Sequence, residues 1–256
     1  MTDALLFEID GPVATITLNR PDKFNAATPE MSKAIVAATE ECDRNPQVRC
    51  VIVTGAGPKA FCAGSDIATL DGYATPWDFR NRTDYCDAIH RMRKPSLAAI
   101  NGHALGGGLE TALSCDIRIA SANAKFAAPE IKLGWIGGGG MAALLTNAVG
   151  SSHAALMVMT GDPIDAARAL AWGLVSEVVE PDGLMARARA LAATISSRAP
   201  IAAETAKANL HAAATMPLDQ AMRYERDLQA ICFATDDARE GRAAFAEKRV
   251  PVFNRR

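Results

Sequence analysis

Short apolar runs rich in β-branched residues recur through the chain, with amphipathic helical patterns between them. The runs are Val13–Leu18, Val48–Thr54, Ser96–Ile100 and Asp116–Ala120, with Leu174–Val179 as a fifth. Strands alternating with helices in this way restrict the chain to an α/β architecture. The runs are too unevenly spaced to form a sequence repeat. The first helical pattern carries its own start signals. Thr28 stands as N-cap, Pro29 at the first helical position and Glu30 in the first turn, followed by Met31, Ile35 and Ala38 on one face. From about Ser197 the composition turns Ala-rich and helical, with Pro200 opening one helix and Asp219 heading another. Nothing there reads as a strand until the last residues. The expected organisation is a core over residues 1–195 and a helical C-terminal region over residues 196–256. Helices without a complete core of their own commonly pack on a neighbour, so an oligomer is expected.

Composition excludes several classes. The 256 residues are 49% hydrophobic and 22% charged, in the range of a soluble globular chain. Lys+Arg number 27 against Asp+Glu 29, for a net charge of −2 with no basic run, so the electrostatic footprint of a nucleic-acid binder is missing. The six cysteines form no Cys-x-x-Cys pair and no zinc-like cluster with histidine, so no metal site is expected. They read as buried small hydrophobes rather than nucleophiles. The start, Met1-Thr-Asp-Ala, is acidic rather than basic and does not resemble a secretory leader. A reducing, cytoplasmic setting is the natural expectation. Leu133 to Gly161 carries no formal charge, but Gly137 to Gly140, Asn147, Gly150, Ser151, Ser152 and His153 interrupt it. It reads as buried core, not as a membrane span.

Several segments compete for the chemistry. Gly55-Ala-Gly57-Pro-Lys-Ala60 follows a strand and loosely fits a dinucleotide fingerprint, but Pro58 and Phe61-Cys-Ala-Gly64 continue as loop where that motif must open a helix. Ala63-Gly64-Ser65-Asp66-Ile67 is a glycine turn leading into a helix start at Ala68-Thr-Leu70. Ser65 or Asp66 there is either an ordinary cap or part of a backbone N–H cradle facing an anion or a polarised oxygen. From Pro95 to Cys115 the only formal charge is Glu110, directly after Leu109 and the triplet Gly106-Gly107-Gly108. A lone carboxylate in so apolar a window is expected to be desolvated, which raises its pKa toward acid–base values. Glu130, in Phe126-Ala-Ala-Pro129-Glu130 between Lys125 and Lys132, reads by itself as a solvated loop charge. Paired with Glu110 and two N–H donors at helix starts, it would complete an acid, a base and an oxyanion hole. No G-x-S-x-G elbow is present, and His90, His103, His153 and His211 have no triad or metal spacing, although His103 stands near the glycine triplet.

With these motifs the chain resembles the enoyl-CoA hydratase/isomerase (crotonase) superfamily. The similarity runs through Leu18-Asn-Arg-Pro21 with Asn25, Ala60-Phe-Cys-Ala-Gly-Ser-Asp-Ile67, and Lys94 to Glu110. It continues through Ser114-Cys-Asp116, Phe126 to Glu130, Leu133-Gly134 and Phe245-Ala-Glu-Lys-Arg249. The resemblance implies an α/β spiral of ββα turns with a helical C-terminal trimerisation region, as a homotrimer or homohexamer. It implies an acyl-CoA substrate, with no cofactor beyond the coenzyme A of that substrate. Ser65 and Gly107 match the two oxyanion N–H groups, and Glu110 and Glu130 match the glutamates of the hydratases. Lys23, Ala63, Ser65, Asp66, Ile67, Ala68, Phe245 and Lys248 match positions that touch the CoA moiety. The expected reaction is reversible hydration of a 2-enoyl-CoA to a 3-hydroxyacyl-CoA. A double-bond isomerase, a specialised dehydratase or a hydrolase is the alternative within the superfamily, and a non-catalytic CoA-ester or RNA binder the alternative outside it. Departures from the family pattern are Ser65 for the usual alanine, Ala68 for a frequent lysine, the run Ile136-Gly-Gly-Gly-Gly140, Met141 and the bulky Trp135. Together with Asp71 to Asp87, the last changes are expected to reshape the acyl pocket.

Overall fold

The longer aliphatic runs become strands because their alternate residues find apolar partners on two sides. In the computed structural model, which describes residues 3–256, the hairpin β1 (Leu5–Asp10) and β2 (Val13–Leu18) opens the fold. Met1 and Thr2, half of the acidic start, lie outside the described residues. Strands β3 (Cys50–Gly55), β5 (Ser96–Ile100), β7 (Ile117–Ser121) and β10 (Glu177–Val179) extend the hairpin into a six-stranded sheet of order β1-β2-β3-β5-β7-β10. Every pairing in it is parallel except β1–β2. A smaller sheet of order β4-β6-β8-β9 is built from β4 (Ala60–Cys62), β6 (His103–Leu105), β8 (Lys125–Ala127) and β9 (Ile164–Asp165). Successive strands therefore alternate between sheets: β3 then β4, β5 then β6, β7 then β8. This is the winding of ββα turns that the resemblance implies.

β3 is buried on both faces, as a central parallel strand must be. Val51 and Val53 join the main core, with Ile35 and Met31 of α1 (Pro29–Arg44), Phe61 and Phe126. Cys50 and Ile52 face the other way, onto Leu184, Ala188 and Ala192 of α7 (Leu184–Ser196). The start of α1 follows its sequence signals. Thr28 accepts a hydrogen bond from the Met31 N–H, and Met31, Ile35 and Ala38 are all buried.

Other expectations shift. The run at Val48 becomes a strand only from Cys50, that at Asp116 only from Ile117, and Leu174–Val179 shortens to its last three residues. No strand forms in residues 248–256, and the helix expected at Asp219 starts one residue earlier, at Leu218 behind Pro217. The uncharged stretch after Leu133 forms α5 (Met141–Thr160), which is not buried throughout. It buries one stripe, Met141, Leu145, Val149, Ala154 and Met157, and exposes Leu156 and Met159. By length and hydropathy α5 could cross a membrane, but Gly150, at φ 77° and ψ 162°, leaves helical geometry in its middle.

Three helices follow α7: α8 (Pro200–Thr215), α9 (Leu218–Phe233) and α10 (Asp236–Glu247). Buried charge fastens α8 to the sheet. Lys207 Nζ lies 2.9 Å from Asp116 and donates to the Lys94 carbonyl at 3.1 Å. The Lys94 side chain is fully buried, with Nζ 2.9 Å from Glu204 Oε1, and Arg255 pairs with the same carboxylate. Arg49 Nη2 donates to the Phe253 carbonyl at 2.8 Å, which ties the chain end to the start of β3. Removing one member of a buried pair strands the other charge. Glu204→Ala should therefore cost about 3 kcal/mol in urea unfolding. A loss under about 0.5 kcal/mol would show that Lys94 does not depend on this carboxylate.

Candidate active site

The site grows from a close approach between two backbone segments. β4 ends at Cys62, and Ala63-Gly64-Ser65 turns away to bridge Ala27 in parallel. Beside it, α4 (Gly107–Ser114) starts directly after β6. A Cβ at Gly108 would overlap the Cys62 carbonyl oxygen, so only glycine lets the helix start press this deeply onto the end of β4. A Cβ at Gly107 would stand 3.5 Å from the Ser65 nitrogen, which places the two expected donors side by side. Neither the Ser65 nor the Gly107 N–H has a protein acceptor among the described residues. The Gly107 donor is one of the four that every α-helix leaves free at its N-terminus.

Asp66, weighed as a cap, caps nothing; its carboxylate pairs with Arg20 at 2.9 Å. Ala68 to Leu70 fall in a 3-10 turn, Ile67–Gly72, rather than at the start of an α-helix. The glycine pair Gly55 and Gly57 leads into β4 and not into a helix, which removes the dinucleotide reading.

Glu110 lies in the first turn of α4 and is 5% exposed. Its Oε1 accepts from the Gly139 N–H at 2.7 Å and the Met141 N–H at 3.1 Å. A Cβ at Gly139 would sit 2.8 Å from Glu110 Oε2, so the unusual glycine run is what lets the backbone close over this carboxylate. Burial, with the charge of Glu130 adding to it, pushes the Glu110 carboxyl up to about 7; the two N–H donors pull it back only in part.

Glu130 is not a solvated loop charge. It follows β8 in the 3-10 turn Pro129–Leu133 and is 9% exposed. The flanking lysines do not neutralise it: Lys132 pairs with Asp162 at 2.6 Å, and Lys125 is exposed. Instead the carboxyl packs against the start of α4, where a Cβ at Gly106 would meet its Oε1 at 2.9 Å. Its Oε2 is buried without a hydrogen-bond partner among the described residues. An ionised oxygen left unpaired in such a place is costly, and burial accordingly raises the pKa of Glu130.

A cavity of about 480 Å³ brings together Ala63, Ser65, Ile67, Gly107, Glu110 and Glu130. Lys23, Asp66, Ala68, Phe245 and Lys248 do not line it in the single chain; Phe245, on α10, is 86% exposed. His103 stands on β6 facing Phe24 and does not line the cavity either. Five of the cysteines are buried, and burial holds thiols such as Cys42 up at about 12, unreactive as nucleophiles. Two features escape a reading by residue type. The N–H groups of Gly139 and Met141 are backbone donors, signalled only by the departure of the glycine run from the family pattern. Asn25, fully buried, accepts from the Arg20 N–H and donates to the Ala56 and Ala60 carbonyls, fixing the loop before β4.

Two buried carboxyls with raised pKa values and two convergent amides around one cavity suit addition or removal of water next to a polarised carbonyl. Comparison with known proteins agrees. The enoyl-CoA hydratase/isomerase family model matches residues 8–256. The chain is 41% identical over 265 residues to a probable enoyl-CoA hydratase of Mycobacterium bovis, covering 99% of both chains. It is 39% identical over 249 residues to the short-chain-enoyl-CoA hydratase of Clostridium acetobutylicum, covering 96% of this chain and 95% of the relative. The crystal structure of an enoyl-CoA hydratase from Bacillus anthracis superposes with a TM-score of 0.94 at 32% identity, over 99% of this chain and 100% of that one. The chain belongs to the enoyl-CoA hydratase/isomerase family.

Proposed function

We propose that this protein reversibly hydrates a 2-enoyl-CoA thioester to a 3-hydroxyacyl-CoA. The observation that carries the reading is the pair of buried, pKa-raised carboxyls, Glu110 and Glu130, on one cavity with two unengaged amides. The thioester oxygen sits between the Ser65 and Gly107 N–H groups. Glu110, ionised, takes a proton from water as its oxygen bonds to C3. The π electrons move toward the thioester, and the charge that gathers on its oxygen is held by the two amides. Such a donor contributes roughly 10²–10³ in rate. Glu130, neutral, then gives its proton to C2. Dehydration runs the same path backwards, with the two roles exchanged.

The local energetics fit these roles. Glu110 keeps two N–H donors on one oxygen, which steadies the carboxylate form, while burial stops it from becoming a weak base. Glu130 has an oxygen with no partner, and that favours the protonated form an acid needs. The chemistry calls for no metal or redox group. Ala63, Ser65, Asp66, Ile67 and Ala68 are proposed to hold the thiol end of the CoA, and Lys23 to close over it. Phe245 and Lys248, exposed at the end of α10, would contact the CoA moiety from a neighbouring subunit. A trimer or hexamer built through residues 196–256 belongs to this reading. Exposed Leu210, Leu218, Ile231 and Phe233 support it. The six thiols, none in a disulfide, support a reducing cytoplasmic setting.

Pure protein should lower the enone absorbance of crotonyl-CoA to its equilibrium level. Glu110→Gln or Glu130→Gln should lower turnover by at least roughly 10²-fold while leaving acyl-CoA affinity near that of the wild type; full activity in either variant would contradict the acid and base roles of the two glutamates. The pH dependence has a definite sign. Glu110 must be ionised, so kcat/KM for hydration should fall as pH drops through about 7. Glu130 must be protonated, so a second, alkaline limb should lie above the ordinary carboxyl range. A rate that holds steady from pH 8 down to pH 5 would contradict the assignment of Glu110.

A further inference from the structure

The wall of the same cavity also carries a cation that forms no ion pair among the described residues. Arg82, half-buried on the segment before α3 (Tyr85–Arg91), lines the same cavity as Glu110 and Glu130. Its guanidinium lies over the Phe79 ring, 4.2 Å from the centroid, and Nη1 donates to the Phe79 carbonyl at 2.8 Å. Those two contacts fix its orientation. A Cβ on Gly138 would stand 3.5 Å from Nη2, so the free edge of the guanidinium flanks the glycine run whose next amide, Gly139, holds Glu110.

Three nearby carboxylates are engaged elsewhere. Asp84 caps α3, accepting from Cys86 and Asp87; Asp78 accepts from Thr75; and Glu110 accepts from Gly139 and Met141. Arg82 forms no ion pair among the described residues. A planar guanidinium carries five N–H donors in a fork that matches a carboxylate, and here all but one lack an acceptor among the described residues. Leu70, Trp135 and Ile136 give the same cavity an apolar wall.

We propose that Arg82 is a specificity residue and that the natural acyl group carries its own carboxylate a few bonds beyond C3. The substrate class is then a monothioester of an unsaturated dicarboxylic acid. Its CoA end is held at the amides, its apolar middle lies against Leu70 and Trp135, and its far carboxylate docks in the Arg82 fork. This rests on the hydratase reading for the reaction but not for the binding. Water adds across C2=C3 as before, with OH to C3 and H to C2; the distal carboxylate is a handle and takes no part in bond making.

Binding of saturated, unreactive thioesters tests the pocket directly. By titration calorimetry, wild-type protein should bind glutaryl-CoA roughly 10-fold or more tightly than pentanoyl-CoA, its neutral counterpart of equal chain length. Arg82→Gln should erase that preference by weakening glutaryl-CoA alone, and Arg82→Lys should retain part of it. Equal wild-type affinities, or an equal loss for both ligands in Arg82→Gln, would overturn the proposal. Turnover separates the two layers of the argument. Hydration of glutaconyl-CoA in preference to 2-pentenoyl-CoA, lost in Arg82→Gln, supports both. Hydration of the two at the same rate in wild type and variant leaves the reaction standing and removes the anionic pocket. A binding preference without turnover of either leaves the pocket standing and removes the hydratase.

Discussion

The contact between the start of α4 and the last carbonyl of β4 is the constraint on which the rest of the site depends. At Gly108 there is no room for a single carbon, since a Cβ would overlap the Cys62 carbonyl oxygen. Because the two segments meet there, the Ser65 and Gly107 amides end up side by side without protein partners among the described residues. The helix that supplies one of them also carries Glu110 inward one turn later. The smaller sheet makes the approach possible. Its parallel strands β4, β6 and β8 end together, and each releases its chain toward the same cavity. One seam of backbone thus sets both the electrostatics of the carbonyl site and the position of a carboxyl.

Two opposing effects act on that carboxyl, and their sizes decide its state. The positive end of α4 and the Gly139 and Met141 N–H groups favour the carboxylate, as does any helix start near an acidic side chain. Helix-end effects are typically 0.3–1 kcal/mol at exposed positions. Burial with a second carboxyl in the same cavity works the other way and wins, leaving Glu110 at about 7. A shift of that size corresponds to about 3 kcal/mol of folding stability forgone above pH 7, because the folded chain must keep a charge that water would stabilise better. The ion pairs under α8 are the converse case. Lys94 and Lys207 are buried but find carboxylate partners, and they hold the C-terminal helices where they stand.

What could be read from the sequence follows from how far each feature depends on residues distant in the chain. Val13–Leu18 and Ser96–Ile100 match their strands residue for residue, and α1 starts where Thr28 and Pro29 say it should, since periodicity and capping are local. The strands of the smaller sheet, two or three residues each, are too short to show a period and exist only through their partners. Glu110 was legible because its window contains no other charge. Glu130 was legible only through its pairing with Glu110 and the family resemblance, since taken alone its two neighbouring lysines suggest solvent and only the fold turns them away. Arg82 lies on a segment whose bearing on the pocket could be anticipated, but the absence of an ionic partner is a property of three-dimensional packing alone.

The central claim is that the cavity adds water across C2=C3 of an enoyl thioester, and isotopic labelling of the solvent tests it most directly. In H₂¹⁸O and D₂O, crotonyl-CoA should yield 3-hydroxybutyryl-CoA with ¹⁸O at C3 and, at early times, one deuterium at C2, read by mass spectrometry. Free coenzyme A, a shifted double bond with deuterium but no ¹⁸O, or recovered substrate without label would contradict it.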